Sequence, residues 1–231
     1  MIVRSILKRR AIEVVVAEHY LRRRPPISFA FGLFDQDALV GVVTFGVPAS
    51  RHMVVGACPS NPELVLELNR LWVDDIAPRN TETWFLAKCL SLLPPRIILS
   101  YADTSVGHVG YIYRAANFNY SGWTDMERKT PRFDYVAKGK HSRDAFRNGF
   151  THKVRRNPKV KYWIVTGNRR EKRRLEGLCK WPKFDWKKMP PPKAADRMEQ
   201  LEKGFVDILS QQPKDIARKA LREKMIDEVT E

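Results

Sequence analysis

The spacing of hydrophobic positions changes several times along the chain, and each change predicts an element. Ile12, Val15, Val16, His19 and Tyr20 recur at helical intervals over residues 8–22, and the run stops where Arg22–Arg24 meet Pro25 and Pro26. Two apolar stretches rich in aromatic and β-branched residues follow, ISFAFGLFD and ALVGVVTFGV. The Gln36-Asp37 pair between them predicts an antiparallel hairpin. Residues 48–62, with His52 and Cys58, read as a polar loop at one end of the sheet. In LVLELNRLWVDD, residues 64–75, a period of two predicts a third strand. It puts Glu67, Asn69 and Leu71 on one face and Arg70, Trp72 and Asp74 on the other. Leu64, Leu68, Leu71 and Trp72 also satisfy helical spacing, so a helix competes for this stretch.

Asn80 or Thr81 caps a helix predicted over RNTETWFLAKCLSLL, which Pro94 and Pro95 end. RIILSYAD, residues 96–103, has the length of a strand. HVGYIYRAANF reads as a further helix with Tyr120-Ser121-Gly122 as its exit, and WTDMERKTPRFDYVAKG supplies at least one strand pair. This order predicts an α/β (α+β) domain over residues 1–137, a mixed sheet flanked by helices.

Charge changes the picture beyond residue 137. The chain carries 42 Lys and Arg against 26 Asp and Glu, a formal net charge of +16. Eighteen of those cations lie between Lys138 and Lys188, opposed only by Asp144, Glu171, Glu176 and Asp185. Such a segment predicts a polyanionic partner, with nucleic acid foremost. The candidate contacts are Lys153, Arg155, Arg156, Lys161, Arg169, Arg170, Arg173 and Arg174. Phe146, Phe150, Tyr162, Trp163, Trp181, Phe184 and Trp186 are interleaved with them, either to stack on bases or to anchor the segment to the domain. Residues 138–188 are therefore expected as a basic, partly helical extension. MPPPK at 189–193 predicts a stiff linker, and residues 194–229 one or two amphipathic helices suited to packing or to a homodimer. Cys58, Cys89 and Cys179 match neither a zinc nor a disulfide pattern, which fits a reducing compartment. No run nears the ~20 apolar residues of a membrane span, so the expectation is a soluble cytoplasmic chain.

Two blocks carry more polar residues than a core needs: Glu67 to Asp75, and Ser100 to Arg114. If both are neighbouring strands leading into helices, their polar ends meet at one mouth of the sheet, where α/β proteins hold ligands. Asp103, Ser105 and His108 invite comparison with a nucleophilic triad, but no nucleophile elbow accompanies them. His52, Cys58, Asp103 and His108 are the candidates for a metal such as iron, and no pair has ligand-like spacing.

The blocks ELNRLWVDD, SYADTSVGHVGYIYRAANFNYSG and HYLRRRPPISFAFGLF with VGVVTFGVPAS resemble the Mom family of bacteriophage DNA-modification proteins. That family looks like a divergent branch of the GNAT acyltransferase superfamily. The resemblance runs from about His19 to about Gly122 and implies a GNAT-like sheet. It further implies an enzyme of the infected host's cytoplasm that converts adenine in double-stranded phage DNA to a carbamoylmethylated adenine, protecting it from restriction. By this resemblance Asp103 or Glu67 accepts a proton and Tyr113 donates one. Arg70 and His52 hold the donor, Ser105 and His108 lie near the base, and Trp72, Tyr101 or Tyr111 stacks on an extruded adenine. The donor loop of the superfamily, R/Q-x-x-G-x-G/A, corresponds to Arg79-Asn80-Thr81-Glu82-Thr83-Trp84, where Glu82 and Trp84 replace both small residues. Asp74 stands beside that loop, as a donor contact or as the cap of the next turn. The donor implied is an activated glycyl or acyl group, carried by an aminoacyl-tRNA or by a CoA-type thioester. A non-catalytic DNA-binding protein and a conventional CoA-dependent N-acetyltransferase are the competing readings.

Overall fold

The computed structural model describes residues 1–126, 130, 132–135, 146–149 and 153–190. It opens with a short strand, β1 (Ile2–Ser5), and a helix, α1 (Lys8–Glu18), which stops four residues before the expected end at 22. The predicted hairpin forms as β2 (Phe29–Asp35) and β3 (Ala38–Gly46), closed through Gln36 in the left-handed region at φ 52°. Residues 51–57, expected as loop, form α2 (Arg51–Ala57), because Val54 and Ala57 fall one turn apart and are both buried. The strand reading of the next block is the correct one. β4 (Val65–Val73) leads to α3 (Thr81–Leu92) and then to β5 (Ile97–Asp103). The helix expected over 108–118 shrinks to α4 (Tyr111–Ala115), since Gly107 and Gly110 hold positive φ before it. Tyr120-Ser121-Gly122 is not an exit turn but the middle of β6 (Asn119–Trp123). β7 (Phe133–Tyr135) pairs with β8 (Lys153–Arg155) in a separate ribbon. β9 (Lys159–Val165) and α5 (Arg169–Leu178) follow.

Seven strands make one mixed sheet in the order β1-β2-β3-β4-β5-β9-β6, with β4 and β5 parallel and the other described neighbours antiparallel. Helices cover both faces, so the central strands are apolar on both sides. On one face α3 packs Phe85, Leu86, Cys89 and Leu90 against Val43, Phe45, Leu68 and Ile98. On the other, α1 sets Ala11 and Val15 on Ala30 and Val42, while Ala57 of α2 and Leu175 of α5 meet Ile97, Leu99 and Trp163. β9 thus lies inside the sheet, with Tyr162 and Trp163 fully buried, although its residues fall in the stretch expected as a basic extension. For those two rings the anchoring role holds. Among the described residues no helix is long and apolar enough to cross a membrane. The linker and helices expected beyond residue 190 lie outside the described residues, as does Phe150.

The segment joining α1 to β2 passes directly over the end of β3. A Cβ at Gly46 would run into the Pro26 carbonyl, so this crossing needs glycine. Gly46→Ala is expected to cost about 1–3 kcal/mol, as overpacking does, seen as a lower urea midpoint. An unchanged midpoint contradicts the close crossing.

Candidate active site

β4 and β5 pair only from Val65–Ile97 to Leu68–Ser100. Beyond that point β4 continues along β3 to Val73 and β5 along β9 to Asp103. The two strands therefore part into a wedge with walls made of residues 69–73 and 101–103. Parting strands in the middle of a sheet expose main-chain groups and side chains of both faces to one ligand.

A bulge at the mouth of this wedge decides what faces it. Leu68 pairs with Phe45 and Arg70 with Thr44, leaving Asn69 as an extra residue. The extra residue shifts the alternation, so Arg70 and Trp72 share a face with Glu67 instead of opposing it as the simple period of two predicts. The Asn69 amide accepts from Thr44 Oγ1 at 2.5 Å and donates to the Pro26 carbonyl at 2.7 Å. Arg70 donates to the carbonyls of Asn69 at 2.5 Å and Arg23 at 3.3 Å. Together they tie the α1–β2 segment across β4 and bring His19 and Tyr20 to the site. His19 stacks on Tyr20 at 4.4 Å, and Tyr20 meets His108 edge-on at 5.5 Å.

The electrostatics separate the two carboxyls. Burial raises the Glu67 carboxyl above its ordinary range, only partly countered by Lys159 and Arg70. Burial acts in the same direction on Asp103, but the Lys159 ammonium at 3.0 Å and hydrogen bonds from the Ser105 amide and hydroxyl outweigh it. The Asp103 carboxyl therefore lies below the usual range. Burial also raises the phenols of Tyr20, Tyr101 and Tyr113, the last sharing a hydrogen bond with Ser100, so all three stay protonated. Arg70 Nε and the Tyr101 hydroxyl are buried without a partner among the described residues, two polar atoms on the β4 and β5 walls that a polar ligand would satisfy.

This wedge therefore offers one carboxyl primed to take a proton, one fixed negative charge, protonated phenols and a half-satisfied guanidinium. The sequence profile of the Mom protein family matches residues 1–177. The chain belongs to the Mom protein family. It is 34% identical over 118 residues to the methylcarbamoylase mom of Escherichia phage Mu, a match covering 47% of this chain and 48% of that protein. The chain thus spans about half the length of this curated relative. Among solved structures, an acetyltransferase of the GNAT family from Bacillus cereus has a TM-score of 0.40 at 12% identity, covering 72% of this chain and 98% of its own. A putative acetyltransferase from Salmonella typhimurium, solved with acetyl-CoA, has a TM-score of 0.42 at 8% identity, covering 73% and 95%. Likeness at this level says nothing about the reaction.

Of the residues singled out in this Mom-family sequence, the wedge unites Glu67, Arg70, Tyr101, Asp103, His108 and Tyr113 through the contacts and couplings above. No triad is built, because the Ser105 hydroxyl donates to Asp103 and is held there. The proposed metal set is not assembled. Cys58 is buried among residues at the start of β5, about 20 Å of strand away from Asp103, and no metal-binding group of His, Cys, Asp or Glu occurs among the described residues. His52 is exposed on α2. Trp72 packs with the α1 core, and Tyr111, 71% exposed, opens α4.

Asp74, Arg79 and Asn80 instead line a separate cleft of about 380 Å³ at the head of α3, together with Asp75, Glu82 and Tyr111. Asp74 also caps its turn, accepting from the Ile76 amide at 3.1 Å. Asn80 takes the N-cap position in left-handed geometry without a side-chain bond, while the Thr81 hydroxyl donates to the Pro78 carbonyl. Arg169, Arg170, Arg173 and Arg174 are exposed on α5, and Arg156 is exposed ahead of β9. Lys161 lies over the Trp181 ring at 5.3 Å. The side chains of Lys153 and Arg155 lie outside the described residues.

Sequence reading missed His19, Tyr20, Asn69 and Lys159 as site residues. The first two completed a helical stripe, and Lys159 was one cation among many. His19 takes the Leu21 amide on Nδ1 at 3.1 Å, so its Nε2 carries the proton. Burial first, then Arg70 and His108, lowers its pKa from 6.5 to about 4. Below pH 6.5 the unfolded chain binds a proton that folded His19 refuses until about pH 4, so stability falls as pH drops through that window. His19→Gln is expected to flatten the decline of melting temperature across it. An equally steep decline contradicts this assignment.

Proposed function

We propose that this chain is a transferase that places an acyl group on adenine in double-stranded DNA and yields a carbamoylmethylated base. The observation that carries the reading is the pairing, in one wedge, of a proton-accepting Glu67 with a proton-donating Tyr113 beside an unsatisfied Arg70. The name of the phage relative, a methylcarbamoylase, and the exposed arginines of α5 support it. DNA binding alone would use α5 and would leave the buried Glu67 unexplained.

In the proposed reaction the exocyclic amine of an extruded adenine attacks the carbonyl of a glycyl ester, forming an N–C bond. Glu67 takes the proton lost by the amine, and Tyr113 gives one to the departing oxygen as the ester bond breaks. Arg70 faces the oxyanion. The free glycyl amine then attacks the ring carbon that bears the acylated exocyclic nitrogen, the bond from that carbon to the exocyclic nitrogen breaks, and the proton lost by the attacking amine passes to the departing nitrogen. The original exocyclic nitrogen becomes the terminal amide, which is the carbamoylmethyl product. Asp103 stays ionised and holds Lys159 in place; Tyr101, on the β5 wall, is the ring to which we assign stacking on the base.

The cleft at the head of α3 fits the diphosphate of a CoA donor poorly, since Asp74, Asp75 and Glu82 line it against Arg79 alone. An aminoacyl ester on tRNA brings no diphosphate to that point and is the donor we favour. We place the reaction in the cytoplasm of an infected bacterium, where the modification shields phage DNA from restriction.

Nucleoside mass spectrometry of DNA from cells making the protein is expected to show a new adenine species that carries label from isotopic glycine. Glu67→Gln should lower its yield by ~10²-fold or more, as loss of a general base does. No new species with the wild-type chain overturns the proposal.

A further inference from the structure

A second groove, of about 370 Å³, opens at the other end of α4 from the donor cleft. It begins at Arg114, the residue after Tyr113, and is closed by a strap that leaves α5 and wraps the sheet's outer strand. The strap is held by the Lys180 amide on the Ala57 carbonyl at 2.8 Å, by Trp163 Nε1 on the Pro182 carbonyl at 3.2 Å, and by the Phe184 amide on the Tyr120 carbonyl at 2.8 Å. It therefore crosses from one face of the sheet to the other around β6. The strap lies beyond the residues that match the family.

Trp186 forms the groove's platform. The Arg114 guanidinium covers it at 4.0 Å, and its ring packs on Tyr120 at 5.0 Å and near-parallel to Tyr162 at 6.3 Å. Asn117 and Asn119 add two amides able to donate and accept. Lys183 lines the same groove, with its ammonium shared with Glu176 at 3.6 Å, and among the described residues no carboxylate lines it. The Tyr120 hydroxyl is buried and has no partner among the described residues, on a side chain only 5% exposed. A stacked cation and indole, paired amides and a cationic rim meet the three parts of a nucleotide: its π face, its hydrogen-bonding edge and its phosphate.

We propose that this groove is a second nucleotide site, which takes one unstacked base of a single nucleic-acid strand on the Arg114–Trp186 platform. This rests on the reading that the partner is nucleic acid, but not on the chemistry proposed for the wedge. Arg114 follows Tyr113 directly on α4, so the groove begins about 4 Å of backbone from the residue that couples to Glu67 in the wedge. A base held there sits next to the one in the wedge, and Asn117 and Asn119 would read its edge. The groove would then set which neighbours of a target adenine are accepted.

The test is photocrosslinking of the full chain to iodouracil-substituted strands, with adducts mapped by mass spectrometry, beside equilibrium binding of single strands and duplex. Adducts on the peptide holding Trp186 or Tyr120 are expected with a single strand. Arg114→Met and Asn119→Ala should each weaken single-strand binding by about tenfold, the worth of one stacked base, while leaving duplex binding on α5 unchanged. Deoxyribose and ribose strands of one sequence tell whether the groove serves DNA or RNA, and either preference supports the site. Adducts confined to α5, with both variants binding single strands as the wild type does, overturn it. Adducts at Trp186 without any modified adenine in cells would leave this site standing and remove the proposed reaction.

Discussion

The parting of β4 from β5 after Leu68 and Ser100 is the constraint from which the rest of the molecule's chemistry follows. Each strand keeps its outer neighbour, so the sheet does not fray there; it opens along a single seam. What fills the seam is set by one extra residue. Asn69 gives up its place in the ladder, turns Arg70 to the side of Glu67, and spends its own amide on fastening the segment that follows α1. A bulge thus re-aims a cation and recruits a distant loop in one step.

The second consequence is electrostatic. A strongly basic protein has to keep a proton acceptor that is not quenched by its own cations. Here Lys159 lies directly across from Asp103 in the β5–β9 ladder and neutralises that carboxylate, while burial dominates at Glu67. Two carboxyls a few residues apart in space are pushed in opposite directions, which is how one pocket keeps a fixed charge and a mobile proton together. Nine further cations are exposed on α5 and the strap, where water and an anionic partner reach them.

Much of this was legible in the residues. The hairpin, β4, α3 and β5 follow from period, turn residues and prolines, and the two polar blocks do end at one place. Four things were not legible, each for a physical reason. The bulge leaves the alternation of residues 64–75 intact to the eye, because parity breaks in the pairing with β3 and not in the sequence itself. β9 alternates Lys159, Lys161 and Trp163 with Val160, Tyr162 and Ile164, but its place between β5 and β6 is a non-local pairing hidden under a high local charge. α5 was announced by its capping box, Asn168 with Glu171 three residues on, and that signal was masked by the same charge. His19 and Tyr20 continue the helical spacing of α1, and nothing local reveals that Asn69 and Arg70 draw their segment over the sheet.

The most direct test of the wedge as reaction centre is a crystal structure of the full chain bound to a duplex containing a target adenine. The account predicts an extruded adenine between the walls of β4 and β5, its exocyclic amine within hydrogen-bond distance of Glu67 and its ring against Tyr101. An adenine still stacked in the duplex, or lodged in the cleft at the head of α3 with the wedge closed, would contradict it.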